Sequence, residues 1–434
     1  MNVVQPDLPG LEEVSLPAAK SALASHKLPT NLTTRNHAIH RWMNFTAGYS
    51  PEFVASCLER DGVTRGLILD PFAGMGTTLV VANSLGLDAV GYEPHPHAAM
   101  MCRAKTMSRS LESVDRIESV LRTLRPVSSL EEVWSESQLA FLSKLIDESQ
   151  LQLLTAARLR EVEFAESDAP LYRLVVTRLL EHASGSSTDG IYKAPTTKKR
   201  SRSVAETYPG ILQRIREDIS LTSHQWGQTE VVEEPAQELS AVKSDSVSHV
   251  ITSPPYLNNF DFAEMTRMEL YFWNYASSWG EITERVRKKL LVNTTTAPIG
   301  FRKEQEQWMA QLSHEVRQEC SIYVDALANE RSERARSKDY DRLVYPYFAQ
   351  MQGVIRESFR TLMPGSSLDL VVSDAALYGV HIHTEQVLRT IMLESGFDDV
   401  EIVRLRSRGD RWVLSKRTGS KDPLGEFQMI ARKA

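Results

Sequence analysis

The sequence predicts an α/β protein with a doubly wound, mostly parallel sheet and largely helical insertions. Three observations carry this. Short apolar runs of strand length are bounded by turn residues, helical spacing follows most of them, and a glycine turn joins the first run to its helix. GLILD (66–70) is the first buried strand; PFAGMGTT breaks it, and LVVANSLG (79–86) reads as a helix ending at Gly86. DAVGYE (88–93) is a second buried strand and HPHAAMMCRAKTM (95–107) a second helix. After a gap the pattern resumes with strands TEVVEE (229–234) and SVSHVI (246–251) and an aromatic-rich helix, FAEMTRMELYFWNYA. A long helix (YFAQMQGVIRESFRTL) stops at MPG; strand SLDLVVSD (367–374), helix TEQVLRTIMLESG (384–396) and strand DVEIVRL (399–405) complete the series.

The remaining segments differ in character. Residues 1–40 carry scattered Pro, Ser, Thr and Asn and read as an irregular arm, followed by an aromatic, helical stretch from His40 to Arg60. Residues 109–225 show helical spacing throughout, interrupted by a polar, basic loop at 185–203. Residues 276–340 form a charged excursion. The expected organisation is one domain from 41–108, 226–275 and 341–434, with a helical insertion at 109–225 as candidate for target recognition and a second at 276–340.

Composition limits the function classes. The chain has 434 residues, 42% hydrophobic and 24% charged, enough for a sizeable core and too apolar for a disordered chain. Cys57, Cys102 and Cys320 stand far apart, which excludes a disulfide scaffold and a cysteine zinc finger and fits a reducing compartment. No run approaches about 18 apolar residues, and the N-terminus lacks a basic-then-apolar signal, so a cytoplasmic location without a membrane is expected. Net charge is −6, so any polyanion must be held by local patches.

Two motifs carry chemistry. In LILDPFAGMGTT (67–78), Gly74 and Gly76 permit a tight turn and remove side chains where a ligand approaches. The acidic residue that such a turn needs about twenty positions on is Glu93, placed to accept from ribose hydroxyls. No Gly-Lys-Ser/Thr follows, which argues against a triphosphate loop, and Asp70 at the strand tip suits a cationic ligand part. In TSPPY (252–256), two prolines fix φ and remove donors, leaving a stiff loop with free carbonyls, and Tyr256 can stack on a planar ring.

Together these blocks resemble the amino-group DNA methyltransferases that use S-adenosylmethionine. DPFAGMGTT (70–78) is similar to their cofactor motif, VGYEP (90–94) to their ribose segment, and TSPPY to their catalytic motif in its serine form, most often associated with cytosine-N4 methylation. FRTLMPGSSLDLVVSD (359–374) resembles a helix–Pro-Gly–strand unit of these enzymes, and HRWMNFTAGYSPEF (40–53) the segment that closes over the methionine moiety. The resemblance implies a seven-stranded Rossmann-like methyltransferase sheet. It implies S-adenosylmethionine held by Phe45, Asp70, Pro71, Phe72, Ala73, Gly74, Gly76, Thr77, Thr78, Glu93 and Pro94. In the third-strand position VVEEPA offers Glu233 or Glu234, of which Glu234 is taken. Catalysis falls to Ser253, Pro254, Pro255 and Tyr256. The expected reaction is methyl transfer to the N4 amine of a cytosine flipped from duplex DNA, in a restriction-modification or defence setting with a partner endonuclease. The alternatives are adenine-N6 methylation, RNA base methylation and a catalytically silent DNA-binding module.

Four basic clusters, KKRSR (198–202), RVRKK (285–289), RSERAR (331–336) and RLRSRGDR (404–411), could together form a DNA groove, although each alone reads as a solvated face. His95 with His97 and His381 with His383 read as packing or surface residues and no metal is expected; Tyr271, Phe272, Trp273 and Tyr275 read as core, and Asp261 as a helix cap.

Overall fold

The computed structural model describes residues 33–43, 48–107, 110–188, 193–222, 226–259, 261–295, 300, 303–335, 338–407 and 424–434. Its centre is a seven-stranded sheet of β1 (Leu67–Asp70), β2 (Asp88–Tyr92), β3 (Thr229–Val232), β4 (Val247–Thr252), β5 (Leu362–Ser373), β6 (Asp399–Ser407) and β7 (Gly425–Arg432). The strands lie in the order β6-β7-β5-β4-β1-β2-β3. Every pairing from β5 to β3 is parallel, and β7 runs antiparallel to both β5 and β6. The predicted fold class is borne out. The strand that no apolar run announced is β7, whose burial alternates because it is an antiparallel insert near the sheet's far edge.

Helices cover both faces. In chain order they begin with α1 (Pro51–Arg60), α2 (Thr77–Ser84) and α3 (Pro96–Thr106). Ser50 caps α1 by accepting from Phe53 N, with Pro51 at the first turn, where no donor is missed. The insertion contributes α4 (Leu111–Arg122), α5 (Glu136–Leu142), α6 (Glu148–Leu159), α7 (Ala169–Ala183) and α8 (Val204–Leu221). Within the stretch expected to be a loop, Ser186–Thr188 pairs with Lys193–Lys198 as a two-stranded ribbon. The apolar spacing of 137–159 breaks between α5 and α6, where Leu145 and Ile146 turn inward and Asp147 begins a new helix.

The aromatic segment folds as two short helices, α9 (Phe262–Met265) and α10 (Arg267–Phe272). Phe272 and Trp273 are buried in one apolar cluster with Leu142, Leu154, Tyr172 and Val176 of the insertion and with Val80 and Met101 of the sheet-covering helices. The insertion thus shares a core with the sheet's helical cover. The charged excursion holds α11 (Trp279–Arg285), α12 (Gln305–Gln311) and α13 (His314–Ser332), and α14 (Val344–Thr361) and α15 (Thr384–Glu394) pack in a second apolar cluster, with β4 and β5. No helix among the described residues is long and apolar enough to cross a membrane.

Candidate active site

The glycine turn leaves β1 at Asp70 and the Ser-Pro-Pro-Tyr loop leaves β4 at Thr252. The two strands are paired, Ile68 beside His249 and Leu69 beside Val250, so both loops emerge side by side at one end of the sheet. Asp70 ties the two tips together. Its Oδ1 accepts from Thr252 Oγ1 at 2.6 Å and from Phe72 N at 3.0 Å; its Oδ2 accepts from Thr78 Oγ1 at 2.7 Å and from the Tyr49 hydroxyl at 3.0 Å. Asp70 is 1% exposed, and burial raises its pKa against the pull of these four donors. Both oxygens therefore accept from protein donors and tie the two strand tips together.

The turn itself is tight. Gly76 caps α2 with φ 83°, and a Cβ there would lie 2.6 Å from Cys102 Sγ on α3. Ala73 N donates to Tyr92 O, which draws the turn over the end of β2. Glu93, the next residue, accepts from Gly74 N at 2.9 Å on one oxygen and from His95 N at 2.8 Å on the other. Burial pushes its carboxyl up to about 7; Asp70 and Glu233 add to the shift, and the two N–H donors oppose it. Each oxygen keeps a second acceptor position, so the carboxylate is under-supplied with donors for a buried anion. A pair of vicinal hydroxyls would supply them, which is the fit a ribose requires.

The other predicted residues divide. Pro71, Ala73, Gly74, Gly76, Thr78 and Pro94 are buried around the turn, with Phe72 and Thr77 half-buried. Glu234 is exposed beyond the end of β3, while Glu233 pairs with Arg103 at 3.2 Å. Phe45 lies outside the described residues. In the second loop Pro254 is buried, Ser253 and Pro255 are half-buried, and the Tyr256 hydroxyl donates to Glu426 Oε1 on β7 at 2.7 Å. Asp261 accepts from Glu264 N as the cap of α9 and pairs with Arg287.

Sequence reasoning missed Tyr49, Thr252, Glu426 and Asp218. Tyr49 lay inside a segment singled out for Phe45, and its hydroxyl reaches Asp70 and Thr78. Asp218, buried near the end of α8, accepts from Ile39 N at 2.8 Å, Trp42 Nε1 at 2.8 Å and the Arg41 guanidinium. The insertion thereby grips the segment that leads to the site. No local signal marks either contact, because each joins residues far apart in the chain.

The four histidines sit among protein groups: His95 Nε2 meets Thr266 Oγ1, His381 meets Asp374 and His383 meets Glu385, and His97 is buried beside the His95 ring. Among the described residues, Asp61, His249 and Asp369 lie close enough to hold a cation. The Arg60 guanidinium already fills that role, bonded to both carboxylates, and Asp369 also accepts from His249 at 2.7 Å and Gln428 at 2.5 Å. This cluster borders a polar cavity of about 510 Å³ lined by Arg65, Ser248 and Arg432, at the start of β1 and β4 and so at the opposite end from the chemistry. All three cysteines are buried, and burial pushes the Cys102 thiol up to about 12, which leaves no reactive thiolate there. In the basic clusters, Arg285, Arg287 and Lys288 pair with Glu281, Asp261 and Glu284, and Arg331 and Arg334 pair with Asp341 and Glu330. Lys198, Arg200 and Arg202 are exposed, and residues 408–411 lie outside the described residues.

Comparison with known proteins gives the relationship. Residues 30–102, which span the N-terminal segment, the glycine turn and Glu93, match the N6/N4 methyltransferase family, described as DNA methylase. The chain is 24% identical over 453 residues to the Type II methyltransferase M.BsoBI of Geobacillus stearothermophilus, covering 94% of this chain and 86% of that one. It is 23% identical over 414 residues to the Type II methyltransferase M.AvaI of Nostoc sp., covering 88% and 83%. A SAM-dependent methyltransferase structure from Methanosarcina mazei aligns over 87% of this chain and 96% of that one, with 9% identity and a TM-score of 0.29. The family match and the curated relatives bear out the resemblance to amino-group DNA methyltransferases using S-adenosylmethionine, with N4 and N6 subtypes undivided.

Proposed function

We propose that this relative of the amino-group DNA methyltransferases methylates the N4 amine of a cytosine flipped out of duplex DNA, as the modification half of a restriction-modification pair. The observation that carries the reading is the pairing of β1 with β4, which sets the glycine turn and the Ser-Pro-Pro-Tyr loop beside each other. Serine at position 253 supports N4 over N6, and the Type II names of the relatives support a partner endonuclease.

S-adenosylmethionine would supply, when bound, an electrophilic methyl group: the amine lone pair attacks that methyl and the neutral thioether sulfur leaves with the electrons of the broken carbon–sulfur bond. Glu93 would hold the ribose hydroxyls, and the turn from Pro71 to Thr78 would leave room for the rest. Ser253 Oγ and the Pro254 carbonyl would accept from the target amine, drawing its nitrogen towards tetrahedral geometry and freeing the lone pair from ring conjugation. Proximity and orientation are then the main catalytic contributions. Asp261 is committed to its helix cap and to Arg287, so the amine proton leaves to water after transfer. Flipping costs a few kcal/mol, which stacking on Tyr256 offsets in part. The exposed faces of 109–225 and 276–340 are the proposed DNA contacts.

The test is to incubate DNA with the protein and S-adenosylmethionine, digest it and identify the modified nucleoside by mass spectrometry. N4-methylcytosine is expected, falling roughly a hundredfold in Ser253→Ala, the scale of one lost positioned hydrogen bond at a reacting centre. N6-methyladenine would replace the base assignment, and full activity in Ser253→Ala would remove the loop from catalysis.

A further inference from the structure

Tyr256 does not end at its own loop. Its hydroxyl donates to Glu426 Oε1 at 2.7 Å, and the other oxygen of that carboxylate accepts from Arg406 Nε at 2.5 Å. The three residues come from different parts of the chain. Tyr256 follows β4, Glu426 sits on β7 opposite Ser373 of β5, and Arg406 sits opposite Glu426 on β6. The connection therefore runs from the catalytic loop across the end of β5 to the edge of the sheet. Glu426 is 4% exposed, whereas the Arg406 side chain is 40% exposed. A buried carboxylate with one oxygen given to a phenol and the other to a guanidinium is oriented at both ends, and hydrogen bonds to a charged acceptor are the strong ones. A tyrosine held at both its Cβ and its hydroxyl has the long axis of its ring fixed in place, and a ring held in place is what a stacking base requires.

We propose that Glu426, steadied by Arg406, is a positioning residue that sets the ring of Tyr256 for the flipped base. The proposal rests on the reading of 253–256 as the catalytic loop. It gives the antiparallel strand β7 a role in the reaction: β7 delivers, from the far side of the sheet, a carboxylate that accepts from the hydroxyl of the loop's aromatic residue. Arg406 is the outer end of the same connection, at the half-exposed border of the sheet.

The experiment measures methyl transfer to duplex DNA, S-adenosylmethionine binding by calorimetry and melting temperature for wild type, Glu426→Ala, Glu426→Gln, Tyr256→Phe and the double variant Tyr256→Phe/Glu426→Ala. Glu426→Ala is expected to lower kcat roughly tenfold with cofactor affinity unchanged, the size of one lost hydrogen bond to a charged group. Glu426→Gln keeps an oxygen acceptor and should return to within about threefold of wild type. Tyr256→Phe should match Glu426→Ala, and the double variant should be no slower than Tyr256→Phe, because both remove one contact. Multiplying losses in the double variant, or Glu426→Gln as slow as Glu426→Ala, would overturn the proposal. Where Glu426→Ala does not fold, Tyr256→Phe decides alone, since wild-type kcat in that variant also overturns it. A wild-type protein that methylates no amine in duplex DNA defeats the reading of the loop itself, an outcome distinct from an active enzyme indifferent to position 426.

Discussion

Replacing Gly76 by alanine probes the cofactor turn through two separable effects. Gly76 has φ 83°, a left-handed conformation that costs a residue with a Cβ about 1–2 kcal/mol. The added methyl would also sit 2.6 Å from Cys102 Sγ and 3.5 Å from Cys102 Cα and Cβ, so α2 and α3 must part or the thiol must turn. Overpacking of this kind adds about 1–3 kcal/mol. The single variant should therefore lose about 2–5 kcal/mol. In a Cys102→Ala background the sulfur is gone and only the backbone strain remains, about 1–2 kcal/mol, measured from a parent already weakened by about 1 kcal/mol through the lost thiol. Urea unfolding of the four proteins, followed by tryptophan fluorescence, gives the coupling energy directly. Calorimetry with S-adenosylmethionine should show weaker binding in both alanine-76 proteins, since the turn is displaced in each. An equal cost for Gly76→Ala in the two backgrounds would refute the close approach of α3 to the turn.

Other consequences follow from charges. Glu93 titrates at about 7 in the folded protein against about 4.5 when unfolded, so between those values the folded state holds the extra proton. Its contribution to stability is therefore fully present below pH 4.5 and is lost as pH rises to 7, by on the order of 3 kcal/mol. Glu93→Gln cannot ionise and should unfold in urea with a flatter pH dependence over that window; an unchanged profile would show that another group titrates there. Because Arg285, Arg287, Lys288, Arg331 and Arg334 are paired within the chain, the salt dependence of DNA binding should rest largely on exposed Lys198, Arg200 and Arg202. Arg200→Ala/Arg202→Ala should lower the log–log salt slope by about 2, and Arg285→Ala, whose guanidinium is shared with Glu281, should lower it by less than about 1.

How far the residue order reached differs between the two motifs and their surroundings. GLILD and DAVGYE are buried on both faces, so each announces its strand as an unbroken apolar run, and the glycines between them announce a turn whatever lies nearby. Ser253 to Tyr256 were legible for the same reason: two prolines dictate their loop without reference to any partner. The strand β7 was not, because GEFQMIAR is half-buried and becomes a strand by slotting between β5 and β6. Its partners lie earlier in the chain, and nothing in those eight residues names them.

The polar contacts of the site follow the same division. That position 70 is acidic and position 93 is acidic could be read directly. That Asp70 turns inward to Thr252, Thr78 and Tyr49, while Glu93 binds Gly74 N and His95 N and keeps spare acceptor positions, depends on which strand tips become neighbours. Local order specifies conformations over a few residues, since those follow from φ, ψ and burial period. Partners separated by 170 positions, such as Tyr256 and Glu426, are chosen when the sheet closes and each buried polar group must find a donor or acceptor within reach.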